Sequence, residues 1–182
     1  MRTRAFVLAV LLSASVTLSA QENEKIKYSN ITEFGITTAN PHVIAFEGTT
    51  AHGFSINKTH NLGLGIGLGT GLGWIMHNRG ASYMPIFLNY RLYFNPEQNR
   101  SPHVNIAAGG VYLNDGRGFY SSLTMGYKAG KFSFSSGISF AAIYGSKEIY
   151  HYIEDSYSMI YTTQVWNWYY PFGLTLKCGF TF

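Results

Sequence analysis

Residues Asn61 to Met76 alternate between two kinds of position. Leu62, Leu64, Ile66, Leu68, Leu72 and Trp74 share one parity, and Gly63, Gly65, Gly67, Gly69, Gly71 and Gly73 share the other. A β-strand sends successive side chains to opposite faces, so such a strand has one apolar face and one nearly bare face. In a helix, each of the six glycines would cost about 1 kcal/mol relative to alanine. The stretch therefore predicts a strand. It is not a phosphate-binding glycine loop: a G-x-G-x-x-G series from Gly65 and Gly67 needs glycine where Thr70 stands.

Period-two alternation recurs along the chain. Ile86, Leu88, Tyr90, Leu92 and Phe94 alternate with Phe87, Asn89, Arg91 and Tyr93; Val104, Ile106 and Ala108 oppose Asn105, Ala107 and Gly109. Leu123, Met125 and Tyr127 oppose Ser122, Thr124, Gly126 and Lys128, and Phe132, Phe134, Ile138 and Phe140 oppose Ser133, Ser135, Gly137 and Ser139. The C-terminal run places Phe172, Leu174, Leu176, Cys178, Phe180 and Phe182 on one parity, against Gly173, Thr175, Lys177, Gly179 and Thr181. Weaker patterns surround Phe34 and Ile36, and His52, Phe54 and Ile56. Turn-forming clusters separate these runs, among them Asn57-Lys58-Thr59-His60, Asn95-Pro96-Glu97-Gln98-Asn99 and Asn114-Asp115-Gly116.

The count is eight strands, many of roughly 10–15 residues, which is the length a tilted membrane strand needs. Bulky apolar side chains crowd one face, while glycine, serine, threonine and scattered charges hold the other. A large apolar face outside and a small polar face inside is the membrane-barrel pattern. The predicted fold is all-β, an eight-stranded antiparallel up-and-down transmembrane β-barrel. Composition agrees: only 12% of the 182 residues are charged, 16% are aromatic, and Gly (20), Tyr (14) and Phe (13) are abundant. So aromatic a chain with so little charge is not disordered.

The N-terminus reads as a secretory signal. Arg2 and Arg4 precede the apolar run Ala5 to Leu12, and a small, polar stretch leads to Ala20. Cleavage there makes residues 1–20 the signal and 21–182 the barrel domain, and lowers the formal charge from +4 to +2. The residual charge offers little to a nucleic acid, and none is expected as a partner. Cys178 is the only cysteine, so no internal disulfide forms.

The alternation at 62–73, the run Met84-Pro85-Ile86-Phe87-Leu88-Asn89-Tyr90-Arg91 and the closing Gly179-Phe180-Thr181-Phe182 together resemble the small outer-membrane β-barrel proteins of Gram-negative bacteria. The narrower resemblance is to the "outer membrane protein beta-barrel domain" family, with OmpA-like and OmpX-like architecture. It implies an outer-membrane location, contact with outer-membrane lipids, and Phe180 and Phe182 as an assembly signal read by the barrel-assembly machinery. With a periplasmic N-terminus, the outer loops fall at about 38–50, 77–82, 113–118 and 145–168, and the inner turns at 57–60, 95–101 and 129–131. Trp74, Trp166, Trp168, Tyr169 and Tyr170 then form the outer aromatic girdle, and Phe94, Tyr127, Phe132, Phe180 and Phe182 the inner one. Pro85 departs from the pattern, because a closed ladder needs its N–H; it is expected at the strand's frayed outer end.

Candidate chemistry is sparse. The six histidines, His42, His52, His60, His77, His103 and His151, show no metal-ligand spacing. No catalytic residue, metal or cofactor is expected. The aromatic-rich loop 145–168 is either a surface for a protein or small-molecule ligand or a hairpin continuing the last two strands. On the inward parity, Glu33, Arg91, Lys128 and Lys177, joined by Glu47, are expected to form a lumen charge cluster. Arg91 would be its hub, holding a carboxylate in two-point contact. Three functions fit: a structural or interaction protein with a filled lumen, a narrow route for small or apolar solutes, and a lipid-modifying enzyme using groups such as His151, Glu154 and Asp155. The first is favoured, since eight strands leave room inside for little more than side chains.

Overall fold

The computed structural model describes residues 25–39, 43–73, 81–113, 116–152 and 159–182. Its strands are β1 (Ile26–Ala39), β2 (Val43–Ile56), β3 (His60–Gly73), β4 (Ala81–Tyr93), β5 (Arg100–Leu113), β6 (Gly116–Ala129), β7 (Phe132–Tyr152), β8 (Met159–Tyr169) and β9 (Phe172–Thr181). Each strand pairs antiparallel with the next through β7. β7 then pairs with β9 along its first half and with β8 along its second. β8 and β9 are thus one stave of the barrel, interrupted at Tyr170-Pro171. β9 also pairs with β1 and closes the ring. The result is an eight-staved, all-antiparallel, up-and-down β-barrel, as the periodicity predicts.

Register gives the strand tilt. Starting at Phe182, whose backbone exchanges both hydrogen bonds with Asn30, the paired residues run through His52, Leu64, Leu88, Ala108, Ser121 and Phe140 to Phe172. The circuit returns to its own strand ten residues from where it began. In an eight-stranded barrel, that stagger corresponds to strands inclined about 35–45° to the axis.

The two faces separate cleanly. Outward positions include Leu64 at 66% exposure, Leu68 at 72% and Leu174 at 67%, while inward Arg91, Asn105 and Thr124 are buried. The hydrophobic interior is small: Ala51, Phe87, Ala107, Val111 and Tyr120 pack together. The glycine face of β3 is what admits the larger rings. A Cβ on Gly65 would stand 2.3 Å from the ring of Phe87, and one on Gly69 2.2 Å from that of Tyr83. These are cross-strand partners, so bare positions on β3 and bulky ones on β4 interdigitate.

The rim differs from expectation. Within 38–50, residues 38–39 and 43–50 are strand rather than loop: Ala39 pairs with Val43, and β2 runs on from there without interruption. β6 begins at Gly116, and β7 and β8 extend as a hairpin through most of 145–168. Polar residues such as Glu47 and Thr49 hinted at loop, but the backbone pairs in the usual way and their side chains point into the polar interior. The inner turns fall as expected. Asn57 and Lys58 both take positive φ (52° and 59°) in the β2–β3 connection, the geometry that a tight hairpin of matching twist requires. Pro85 is a second correction. It lies within β4, fully buried, and pairs with Val111 of β5, whereas the ladder to β3 skips Gly67 and Leu68. The strand tolerates proline because Gly67 opposite has no side chain; a Cβ there would stand 3.2 Å from the Pro85 ring.

Candidate functional site

Four inward charges on four staves form two ion pairs in the lumen. Glu33 of β1 accepts from Nη2 of Arg91 of β4, both side chains being almost wholly buried. β2 and β3 stand between these strands, and their inward residues at this end include Ala51, Gly53, Gly63 and Gly65, which leave the space open. Arg91 Nε donates to Oδ1 of Asn105 at 3.3 Å, and Asn89 Nδ2 donates to the same oxygen at 2.8 Å. The expected two-point grip of Arg91 on one carboxylate is not made. One arm holds Glu33 and Nε goes to an amide.

The second pair joins Lys177 of β9 to Glu47 of β2, with Nζ 2.6 Å from Oε1. Gly35 of β1 lies between them in register, paired with both, and a Cβ there would meet the Lys177 stem at 3.0 Å. Two phenols complete the group. Tyr120 donates to Glu47 Oε1 at 3.4 Å and Tyr83 donates to Oε2 at 3.3 Å, while Lys177 also donates to Tyr120 at 3.3 Å. Each of these four buried charges therefore has an opposite charge, and Arg91, Glu47 and Lys177 have further hydrogen bonds, the condition under which burial is tolerated.

Lys128, the fifth expected member, is not part of this group. It lies with its Nζ 5.0 Å from the centroid of the Tyr93 ring and makes no ion pair among the described residues. The periodicity put it on the correct parity but too near the end of β6 to reach a carboxylate. Tyr93 in turn tilts against His103, 5.7 Å away. Asn89, Asn105, Tyr83 and Tyr120 were not singled out as partners of the charges. Their inward parity and polarity were the available signal, but pairing between staves depends on stagger, which parity does not contain.

The paired charges come from β1, β2, β4 and β9, whereas β6 and β7 contribute Lys128 and the buried hydroxyls of Ser122, Thr124, Ser133 and Ser135. Outside, aromatics gather at the two ends. Near the termini are Phe94, Tyr127, Phe132, Phe180 and Phe182, all exposed; Phe132 and Phe180 touch at 4.6 Å, and Lys131 Nζ lies 5.5 Å from the centre of the Phe182 ring. At the opposite end are Tyr112, Tyr144, Trp168 and Tyr170. Trp74 falls outside the described residues, as do the side chains of Trp166 and Tyr169. In register Tyr169 pairs with Ile143, on the parity opposite to Trp168. An outward polar cluster was not anticipated: His52 contacts Tyr28, Asn30 and Thr50 across the β1–β2 pair.

No family model and no curated protein matches the chain. Among solved structures, it is similar to the N-terminal β-barrel domain of Pseudomonas aeruginosa OprF, with 11% identity, a TM-score of 0.47, and coverage of 85% of this chain and 97% of that one.

Proposed function

We propose that the chain is an integral outer-membrane β-barrel protein of a Gram-negative bacterium, with a filled lumen and a structural or interaction role rather than catalysis. The observation that carries this reading is the outer surface: a closed barrel that exposes Phe34, Leu64, Leu68, Leu88, Met125, Phe134 and Leu174 while burying Arg91, Glu33 and Lys177. In water this arrangement is inverted; in lipid it is the expected one, because only a closed barrel or a helix satisfies every backbone group there. The aromatic ends supply the two interfacial girdles.

The filled lumen is supported by the paired charges, by Phe87 and Tyr83, whose rings occupy the space that the β3 glycines leave, and by Tyr120, which packs against Phe87. Planar-bilayer recordings on the purified, refolded protein test this. Only small or no currents are expected, together with heat-modifiable migration and recovery in the outer-membrane fraction. Steady, large single-channel currents would replace the structural role with transport. Recovery as a soluble protein would overturn the membrane assignment itself.

A further inference from the structure

Across the barrel end remote from the termini, four outward side chains stand in one row. Register pairs Tyr112 with Arg117, Arg117 with Tyr144, and Tyr144 with Trp168. Together with Gly118 they line an open cleft of about 380 Å³. Tyr144 and Trp168 meet at 5.3 Å, and Trp168 stacks on Tyr170 at 6.3 Å. Arg117 is exposed and forms no ion pair or hydrogen bond with another described residue.

Height decides what this cleft faces. With a rise of about 3.3 Å per residue and a tilt of about 40°, Arg117 stands roughly 25–30 Å above Phe182 along the axis, close to the height of a barrel's apolar band. The row is therefore at the second interface, where headgroups lie. Directly below Arg117 the outward residue is Phe119, an exposed ring flanked in register by the small Gly110 and Ala142, with Ala108 paired to Ser121 beneath. A guanidinium between aromatic rings at headgroup level, above an exposed apolar ring set between small residues, has the chemistry to hold a phosphate by its planar fork while an acyl chain lies along the wall.

We propose that Tyr112, Arg117, Tyr144 and Trp168 form a site for a phosphate-bearing lipid headgroup of the outer leaflet. This rests on the membrane reading above. The shared chemistry is phosphate, and its source is a lipid rather than the free ion, because the cleft opens on the lipid-facing side of the barrel.

The test uses full-length protein refolded into phosphatidylcholine vesicles containing a minor fraction of phosphatidic acid. Tryptophan emission is measured with brominated acyl chains placed on one lipid or on the other. Quenching by brominated phosphatidic acid is expected to exceed its mole fraction about fivefold, the enrichment that one interfacial arginine supplies. Arg117→Gln should abolish that preference while leaving heat-modifiable folding and quenching by brominated phosphatidylcholine unchanged. Arg117→Lys should retain part of it, and Trp168→Phe should remove most of the preferential signal. Equal preference in wild type and Arg117→Gln overturns the site. Loss of the preference on adding millimolar inorganic phosphate assigns the cleft to the free ion and overturns the lipid. If neither brominated lipid quenches, the chain is not inserted, and it is the membrane reading that fails.

Discussion

Lys177 reaches Glu47 across an intervening strand, over the bare backbone of Gly35, and the two close to 2.6 Å deep inside the barrel. The pair is coupled to Tyr83 and Tyr120, so removing one charge strands the other among groups arranged for it. Lys177→Ala is expected to lower unfolding stability by about 3–5 kcal/mol, whereas the double replacement Lys177→Met with Glu47→Gln should cost much less. Denaturant titrations of the refolded protein in detergent read both. A double variant as unstable as the single one would mean that packing, not charge, is what Lys177 contributes.

Arg91 plays the corresponding part for Glu33, with an added amide contact through Asn105. Arg91→Ala should cost about 3–5 kcal/mol by stranding Glu33 and should raise conductance in planar bilayers above that of the wild type. Arg91→Lys keeps the charge but loses the Nε contact, and its stability should fall between the two. Equal stability of the alanine and lysine variants contradicts the assigned roles.

The Phe87 ring occupies the space where a side chain on Gly65 would be. Gly65→Ala is therefore expected to destabilise by about 1–3 kcal/mol through overpacking. Phe87→Leu in the same background should recover part of that loss. Additive penalties in a double-mutant cycle would show that the two positions do not compete.

Ile66 lies midway along β3 on the outward face. Ile66→Arg should cost about 2–4 kcal/mol in lipid vesicles, while the same change at Tyr127, in the girdle near the termini, should cost about 0–1 kcal/mol. Similar costs at the two positions would misplace the apolar band.

Phe182 stacks with Phe180 and lies beneath the Lys131 ammonium at the end of β9. Deleting Phe182 should sharply reduce the amount of heat-modifiable barrel recovered from the outer membrane, with less effect on refolding from denaturant in detergent. Undiminished recovery removes Phe182 from the assembly signal.

Face assignment was legible because parity is a local property. Leu62 to Trp74 against six glycines requires no knowledge of neighbours, and the same holds for Phe172 to Phe182. Strand ends were less legible. Gly48, Thr49 and Thr50 look like loop residues, yet they pair with Phe34, Glu33 and Thr32; Thr49 is polar because it faces the interior, and Thr50 because it belongs to the outward cluster around His52. Contacts between staves were partly hidden. That Glu33, Glu47, Arg91 and Lys177 point inward follows from parity, but which acid meets which base follows from a stagger that the pattern does not encode. Lys128 marks that limit, as does Arg117, whose aromatic neighbours Tyr112 and Tyr144 stand opposite it on the strands at either side.

Closure of the ring joins residues at opposite ends of the chain: Ile31 pairs with Thr181, and Ala39 with Gly173. Every other interface of the barrel links staves that follow one another. Among the described residues the β1–β9 seam is thus the strand contact of highest sequence separation, and it forms only once β9 has been made. Because loop-closure entropy must be met before such a contact returns any energy, the seam is the pairing with the largest entropic cost of closure. Until it is made, β1 and β9 remain two unsatisfied edges, and a chain shortened at either end is an open sheet prone to pair with its neighbours.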